Sequence, residues 1–165
     1  MNCKTYIKLF FLNVIFSQEI ALEASNLFNN AILMRKDGNT EESLKYLHKI
    51  EDIHLESNYL IAEIYLNEIK NPNIALDYYI KVLDTTSNYL DDKNESSKNL
   101  YRKSLFMISY IYSNYLGMYS EAIQNYKLFL ELFQNDELSE SVKYELGLLE
   151  PFETQKKQLI GKKNG

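Results

Sequence analysis

The chain has no tryptophan, one cysteine, two histidines, two prolines and five glycines in 165 residues. Each scarcity excludes something. A single cysteine, Cys3, forms no internal disulfide. Two histidines fall short of the three or four protein ligands of a zinc centre. No glycine-rich phosphate loop and no G-x-S-x-G elbow is present. The net charge of −5 argues against nucleic acid as a partner, because phosphate binding demands clustered lysine and arginine. With so few helix breakers, long stretches can stay helical.

Apolar residues make up 45 % of the chain, and fourteen tyrosines stand out. Tyrosine suits positions with one buried side and one wet end. The length allows one domain with a sizeable core.

The first residues, "MNCKTYIKLFFLNVIFSQEI", have the layout of an export signal. Lys4 and Lys8 give a short positive region, Leu9 to Phe16 is apolar apart from Asn13, and the small Ser17 precedes Gln18. The expectation is a signal peptide over 1–17, cleaved near Ser17/Gln18, and a secreted or periplasmic mature protein. The alternative is a first buried helix and a cytoplasmic chain. The apolar run is too short for an integral membrane anchor, which needs about 20 residues. Cleavage would remove two lysines, no acid and the only cysteine, taking the charge from −5 to −7. At the other end, 151–165 is expected to be a flexible basic tail. A membrane-surface or nucleic-acid contact is the alternative reading of its lysines.

From Glu19 onward apolar residues recur three and four apart, the period of amphipathic helices. Turns at "KDGN", "KNPN" and "LGMYS" divide the pattern into helix pairs. Thr40, Ser57, Ser96 or Ser97, and Ser120 are the expected N-caps. The helices after "TTSNYLDDKNESSKN" run over about 98–115 and 121–133, and a last amphipathic one carries Val142, Tyr144, Leu146, Leu148 and Leu149 as far as Pro151.

The pairs repeat. Aligning "DGNTEESLKYLHKI", "KNPNIALDYYIKVL" and "LGMYSEAIQNYKLFL" superposes Ser43, Ala75 and Ala122. Four later stand Leu47, Tyr79 and Tyr126; seven later stand Ile50, Val82 and Phe129. On each preceding helix, twelve or thirteen earlier, is another small residue: Ala31, Ala62 and Ser109. Two helices approach closely only where little bulk lies between them.

This pattern resembles the tetratricopeptide repeat (TPR) family, whose motif pairs two helices over about 34 residues. Ala31, Ala62 and Ser109 match its eighth position, and Ser43, Ala75 and Ala122 its twentieth. Gly38 and Gly117 match the turn glycine, and Tyr65 and Tyr112 the tyrosine three after the first small residue. The likeness spans about 19–136, with 137–150 as a capping helix. The motif's tryptophan is missing, and its proline is replaced by Leu55, Ser87 and Gln134. The twentieth-position residues lie 32 and then 47 apart. An ordinary helical bundle is the competing architecture.

Sites for chemistry are few. In "HKIEDIH", His48 and Asp52 share a helix face while His54 does not, so solvated or helix-terminal histidines are expected. "DDKNE", Asp91 to Glu95, has calcium-like oxygens but lacks the glycine and twelfth-position glutamate of a calcium loop. Glu41 and Glu42 suit the start of a helix. No catalytic residue, metal or cofactor is expected.

The expected fold over 18–150 is all-α: about three antiparallel helix-turn-helix repeats in a short right-handed TPR-like solenoid with a C-terminal capping helix. The resemblance implies a scaffold that binds a partner peptide or helix on its concave face. In the family's register the groove positions are Asn29, Arg35 and Lys36, then Glu63 and Asn67, then Tyr110 and Asn114. Tyr110 and Arg35 are the first-choice anchors. The packing positions are Ala31, Ser43, Ala62, Ala75, Ser109, Ala122 and Tyr126. A structural subunit of a larger envelope assembly, or a self-associating helical protein, is the alternative.

Overall fold

The computed structural model describes residues 3–89 and 94–163, with side chains described over 13–88 and 94–155. The described residues are all-helical and include no strand. The helices are α1 (Cys3–Lys36), α2 (Thr40–His48), α3 (Leu55–Asn67), α4 (Pro72–Thr86), α5 (Glu95–Asn114), α6 (Tyr119–Leu132) and α7 (Ser139–Lys163), with a short 3-10 turn at Ser87–Tyr89 after α4. Each helix packs against the next, and α3 also meets α5. Among the described residues, no helix is long and apolar enough to cross a membrane.

Each pair turns on a left-handed residue. Gly38 (φ 79°) ends α1, Lys70 (φ 62°) follows α3 and Gly117 (φ 64°) follows α5. Backbone bonds of 2.8 Å close the three turns: Asn39 N–H to Met34 O, Asn71 N–H to Tyr65 O, and Met118 N–H to Tyr112 O. The second and third span one residue more, which accounts for the extra residue between their small positions. Lys70 occupies this conformation without glycine's freedom.

The caps differ from expectation. Asparagines do the work expected of Thr40 and of Ser96 or Ser97. Asn39 accepts from the Glu42 amide, Asn71 from Ile74 and Asn94 from Ser97. The Asn carboxamide oxygen reaches the third amide of the following helix, leaving Thr40 inside α2. His54, not Ser57, precedes α3, and buried Ser57 donates to His54 O at 2.5 Å. Met118, not Ser120, precedes α6. Pro72 takes the first turn of α4, where its missing N–H costs nothing.

Two helices outrun the sequence reading. α1 begins at Cys3 rather than near Glu19, although Ala24 is its first buried described side chain. α7 passes through Pro151 and reaches Lys163, so most of the expected flexible tail is helical. Proline removes one backbone N–H hydrogen bond. Both sides of it are tied to the fold: Val142 and Leu146 are in the core, and buried Glu153 accepts from Ser120 Oγ at 2.7 Å. Of "DDKNE", Asp91, Asp92 and Lys93 lie outside the described residues.

The core falls into three successive clusters. The first joins Ala31, Leu47, Leu60, Ile61 and Ile64, from α1, α2 and α3. The second joins Ala62, Leu66, Ala75, Tyr79, Ile108 and Ile111, from α3, α4 and α5. The third spans α5, α6 and α7 and includes Leu105, Ala122, Tyr126, Phe129, Val142 and Leu146. Each unit is therefore a helix pair closed by the first helix of the next. Ala31, Ser43, Ala62, Ala75, Ser109, Ala122 and Tyr126 are all fully buried, as are Leu47, Tyr79, Val82 and Phe129.

Candidate interaction surface

The expected groove residues lie on α1, α3 and α5, and the fold brings some of them together. Arg35, in the last turn of α1, reaches across to α3. Its Nε lies 2.6 Å from Glu68 Oε1 and its Nη1 3.2 Å from Glu63 Oε2. Thr40 Oγ1 donates to the other Glu68 oxygen at 2.6 Å. Three helices thus meet on one carboxylate pair. Burial alone would lower the Arg35 pKa, but the bonds to Glu68 and Glu63 outweigh it and hold the guanidinium charged. Arg35 and Glu63 come together as neighbours, with the arginine already committed to a bridge. Asn29, Lys36 and Asn67 are exposed.

Tyr110 is half-buried on α5, its ring edge-on to Tyr115 at 6.0 Å. Asn114, exposed, donates to Tyr110 O at 3.2 Å and to Ser113 Oγ at 2.7 Å. Tyr110 and Asn114 therefore form a second group, on a different helix from the Arg35 bridge.

Other members had weaker signals. Arg102 on α5 is the strongest. It pairs with Asp136, bonds Asn99 Oδ1 at 2.9 Å and lies 3.3 Å from Glu137. It lines an open hollow of about 370 Å³ with Glu95, Lys98, Asn99, Phe133 and Asp136. The Tyr59 phenol is pushed up to about 12, by burial first and the Glu63 charge second, with Arg102 opposing. Glu68 lies just past the end of α3, beyond the helical register that selected Asn67. No pattern in the sequence pointed to it.

On the other side of the second pair, His48 Nδ1 lies 2.8 Å from Glu51 Oε2, and Tyr78 donates to the same oxygen at 3.0 Å. Lys81 approaches Asp52 at 3.3 Å and Glu51 at 3.9 Å. His54 instead stacks on Phe28, with centroids 4.4 Å apart. The histidines of "HKIEDIH" thus serve different contacts. Among the described residues, no group of three or more His, Cys, Asp or Glu is placed to hold a metal ion.

The chain matches no protein-family model and no curated protein.

Proposed function

We propose that this chain is a non-catalytic protein-interaction scaffold of the TPR type. In this reading the helix pairs stack as a short right-handed solenoid, α7 caps it, and the first helices line a concave face that takes a peptide or helix. The observation that carries the reading is the threefold recurrence of one packing unit: a fully buried small residue on each helix, a left-handed turn between them and a cluster of buried core residues. Stacked pairs that each bury a core with the next leave one long, open face, better suited to an extended partner than to an enclosed small molecule.

The proposed setting is the cell envelope after cleavage near Ser17/Gln18. Two observations support it. None of the described side chains over 13–17 is buried, and Ile15 and Phe16 are exposed. Exposed apolar residues just before Ser17 fit a segment discarded on export.

Affinity capture of the mature chain in its native compartment, with cross-linking and mass spectrometry, tests the reading. The expected cross-links to partner lie on the first helices. Tyr110→Ala is expected to weaken capture without lowering the melting temperature. Cross-links confined to the second helices α2, α4 and α6, or capture insensitive to Tyr110, would overturn it.

A further inference from the structure

The end of α7 outruns the helix it packs against. α7 lies antiparallel to α6: Lys127 reaches Glu150 at 2.6 Å, Ser120 donates to Glu153 at 2.7 Å, and Phe152 meets Tyr119 edge-on at 5.1 Å. Tyr119 is the first residue of α6, yet α7 continues to Lys163. Glu153 is the last buried residue among the described side chains. At 1.5 Å per residue, α7 runs on for about 15 Å beyond it.

Charge divides at the same place. All 23 acidic residues lie at or before Glu153. After it come Lys156, Lys157, Lys162 and Lys163, with no acid. The segment 154–165 therefore carries +4, and the remaining fourteen lysines and arginines against 23 acids give −9. Lys162 and Lys163 stand about 14–15 Å along the helix from Glu153, beyond the ~8 Å range of a charge in physiological salt. The acidic part of the chain does not cancel them. Cations in a last turn also complement the helix dipole, but that effect does not extend back to Lys156 and Lys157.

Large apolar residues share this end. Positions 152, 156, 159 and 163 are spaced i, i+4, i+7 and i+11, which places them on one side of a helix. They are Phe152, Lys156, Leu159 and Lys163. Phe152 is 54 % exposed. Lysine interleaved with phenylalanine and leucine matches the edge of a bilayer. The apolar groups enter the headgroup boundary, and the ammonium groups stay at the lipid phosphates. Nucleic acid offers no such apolar layer, and the last arginine of the chain is Arg102.

We propose that the end of α7, from Phe152 to Lys163, docks on an anionic lipid surface and lies in the headgroup plane. Charge and apolar area act together there, since either signal alone binds weakly. Among the described residues no helix is long and apolar enough to cross a membrane, so the contact is peripheral. The lipid contact goes beyond the scaffold reading and does not rest on it.

The test is co-sedimentation of the full chain with lipid vesicles. Phosphatidylcholine vesicles are compared with vesicles containing about one-third phosphatidylglycerol, from about 0.05 to about 0.5 M salt. The chain is expected to sediment with the anionic vesicles alone, and less as salt rises. Each lysine near such a surface contributes about five-fold, or about 1 kcal/mol. Replacing Lys156, Lys157, Lys162 and Lys163 by glutamine should weaken binding about a hundred-fold or more, with circular dichroism unchanged. Leu159→Gln should weaken it about ten-fold. Equal sedimentation with both vesicles, or none with the anionic ones at low salt, overturns the proposal. So does a four-glutamine chain that still binds, as it would through 1–17, or a Leu159→Gln chain that binds unchanged. Tighter binding to a DNA oligonucleotide than to the anionic vesicles overturns it in favour of nucleic acid. Should the four-glutamine chain lose helix, the lipid and salt series and Leu159→Gln decide by the same outcomes. Partner capture is a separate measurement, so failure of either reading is distinguishable from failure of the other.

Discussion

The hydroxyl of Ser43 on α2 donates to the backbone carbonyl of Ala31 on α1, 2.8 Å away, and both residues are completely buried. A serine in the small position thus fills its slot and also engages the opposite helix. Removing the hydroxyl deletes one hydrogen bond to a carbonyl within α1. Ser43→Ala is expected to cost only about 0.5–1.5 kcal/mol. Ser43→Leu forces the pair apart and is expected to cost about 1–3 kcal/mol. Denaturant melts of both variants check the order; a leucine variant as stable as the alanine one would place the close contact elsewhere.

Tyr79 is fully buried, and its hydroxyl has no hydrogen-bond partner among the described residues. Burial pushes its phenol pKa well up, with nearby Tyr59 adding to the effect. The ring packs edge-on to Tyr59 at 5.4 Å. The ring is therefore the stabilising part, and Tyr79→Phe is expected to leave stability unchanged or raise it. Tyr79→Ala should cost about 3–5 kcal/mol. A clear loss in the phenylalanine variant would reveal a partner for the hydroxyl.

The three left-handed turns respond differently to glycine. Gly117 at φ 64° has no neighbour within 4 Å of a would-be Cβ, so Gly117→Ala meets only backbone strain, about 1–2 kcal/mol. Lys70 already bears that strain at φ 62°. Lys70→Gly trades it against the extra unfolded-state freedom of glycine, about 0.5–1 kcal/mol, and should be neutral or mildly stabilising. Opposite signs in thermal melts are the expected result; equal losses would contradict it.

Acid should loosen the contact between the α2–α3 turn and α4 through Glu51. Burial alone would raise its pKa, but the hydrogen bonds from His48 and Tyr78 and the charge of Lys81 outweigh that, and the carboxyl titrates below its ordinary 4.5. A carboxyl depressed in the folded state stabilises above its unfolded value. That stability is lost as pH falls from about 4.5 through the lower, folded value. Melting temperature against pH is expected to fall less steeply over this acid range in Glu51→Gln. Parallel curves would mean that Glu51 is not linked to folding.

Removing 1–17 should leave the fold intact, because the first buried described residue of α1 is Ala24. A chain starting at Gln18 is expected to melt within a few degrees of the full chain and to be more soluble. N-terminal sequencing of exported material should begin near Gln18. An intact Met1 in that material would contradict the cleavage.

Much of the helical order was legible because the small residues recur at matching offsets, and apolar periodicity marked the pairs around them. The ends of elements were less legible. Serine and threonine looked like caps, but neighbouring Asn39 and Asn94 were better placed to reach the first-turn amides. Pro151 looked like a stop, yet the buried contact of Glu153 with Ser120 lies beyond it. The surface was least legible. Register selected Arg35 and Glu63 separately, whereas only three dimensions reveal that they bridge each other and that Glu68 completes the bridge.

The division of the core into three clusters bears on how the chain comes apart. Most tertiary contacts join helices adjacent in sequence, so loop closure is short at every step and folding should be fast. Amide exchange should be graded rather than uniform. The pair α3 and α4, flanked on both sides, should exchange last. The terminal helices should open first, letting one end of the chain breathe while the remainder stays folded.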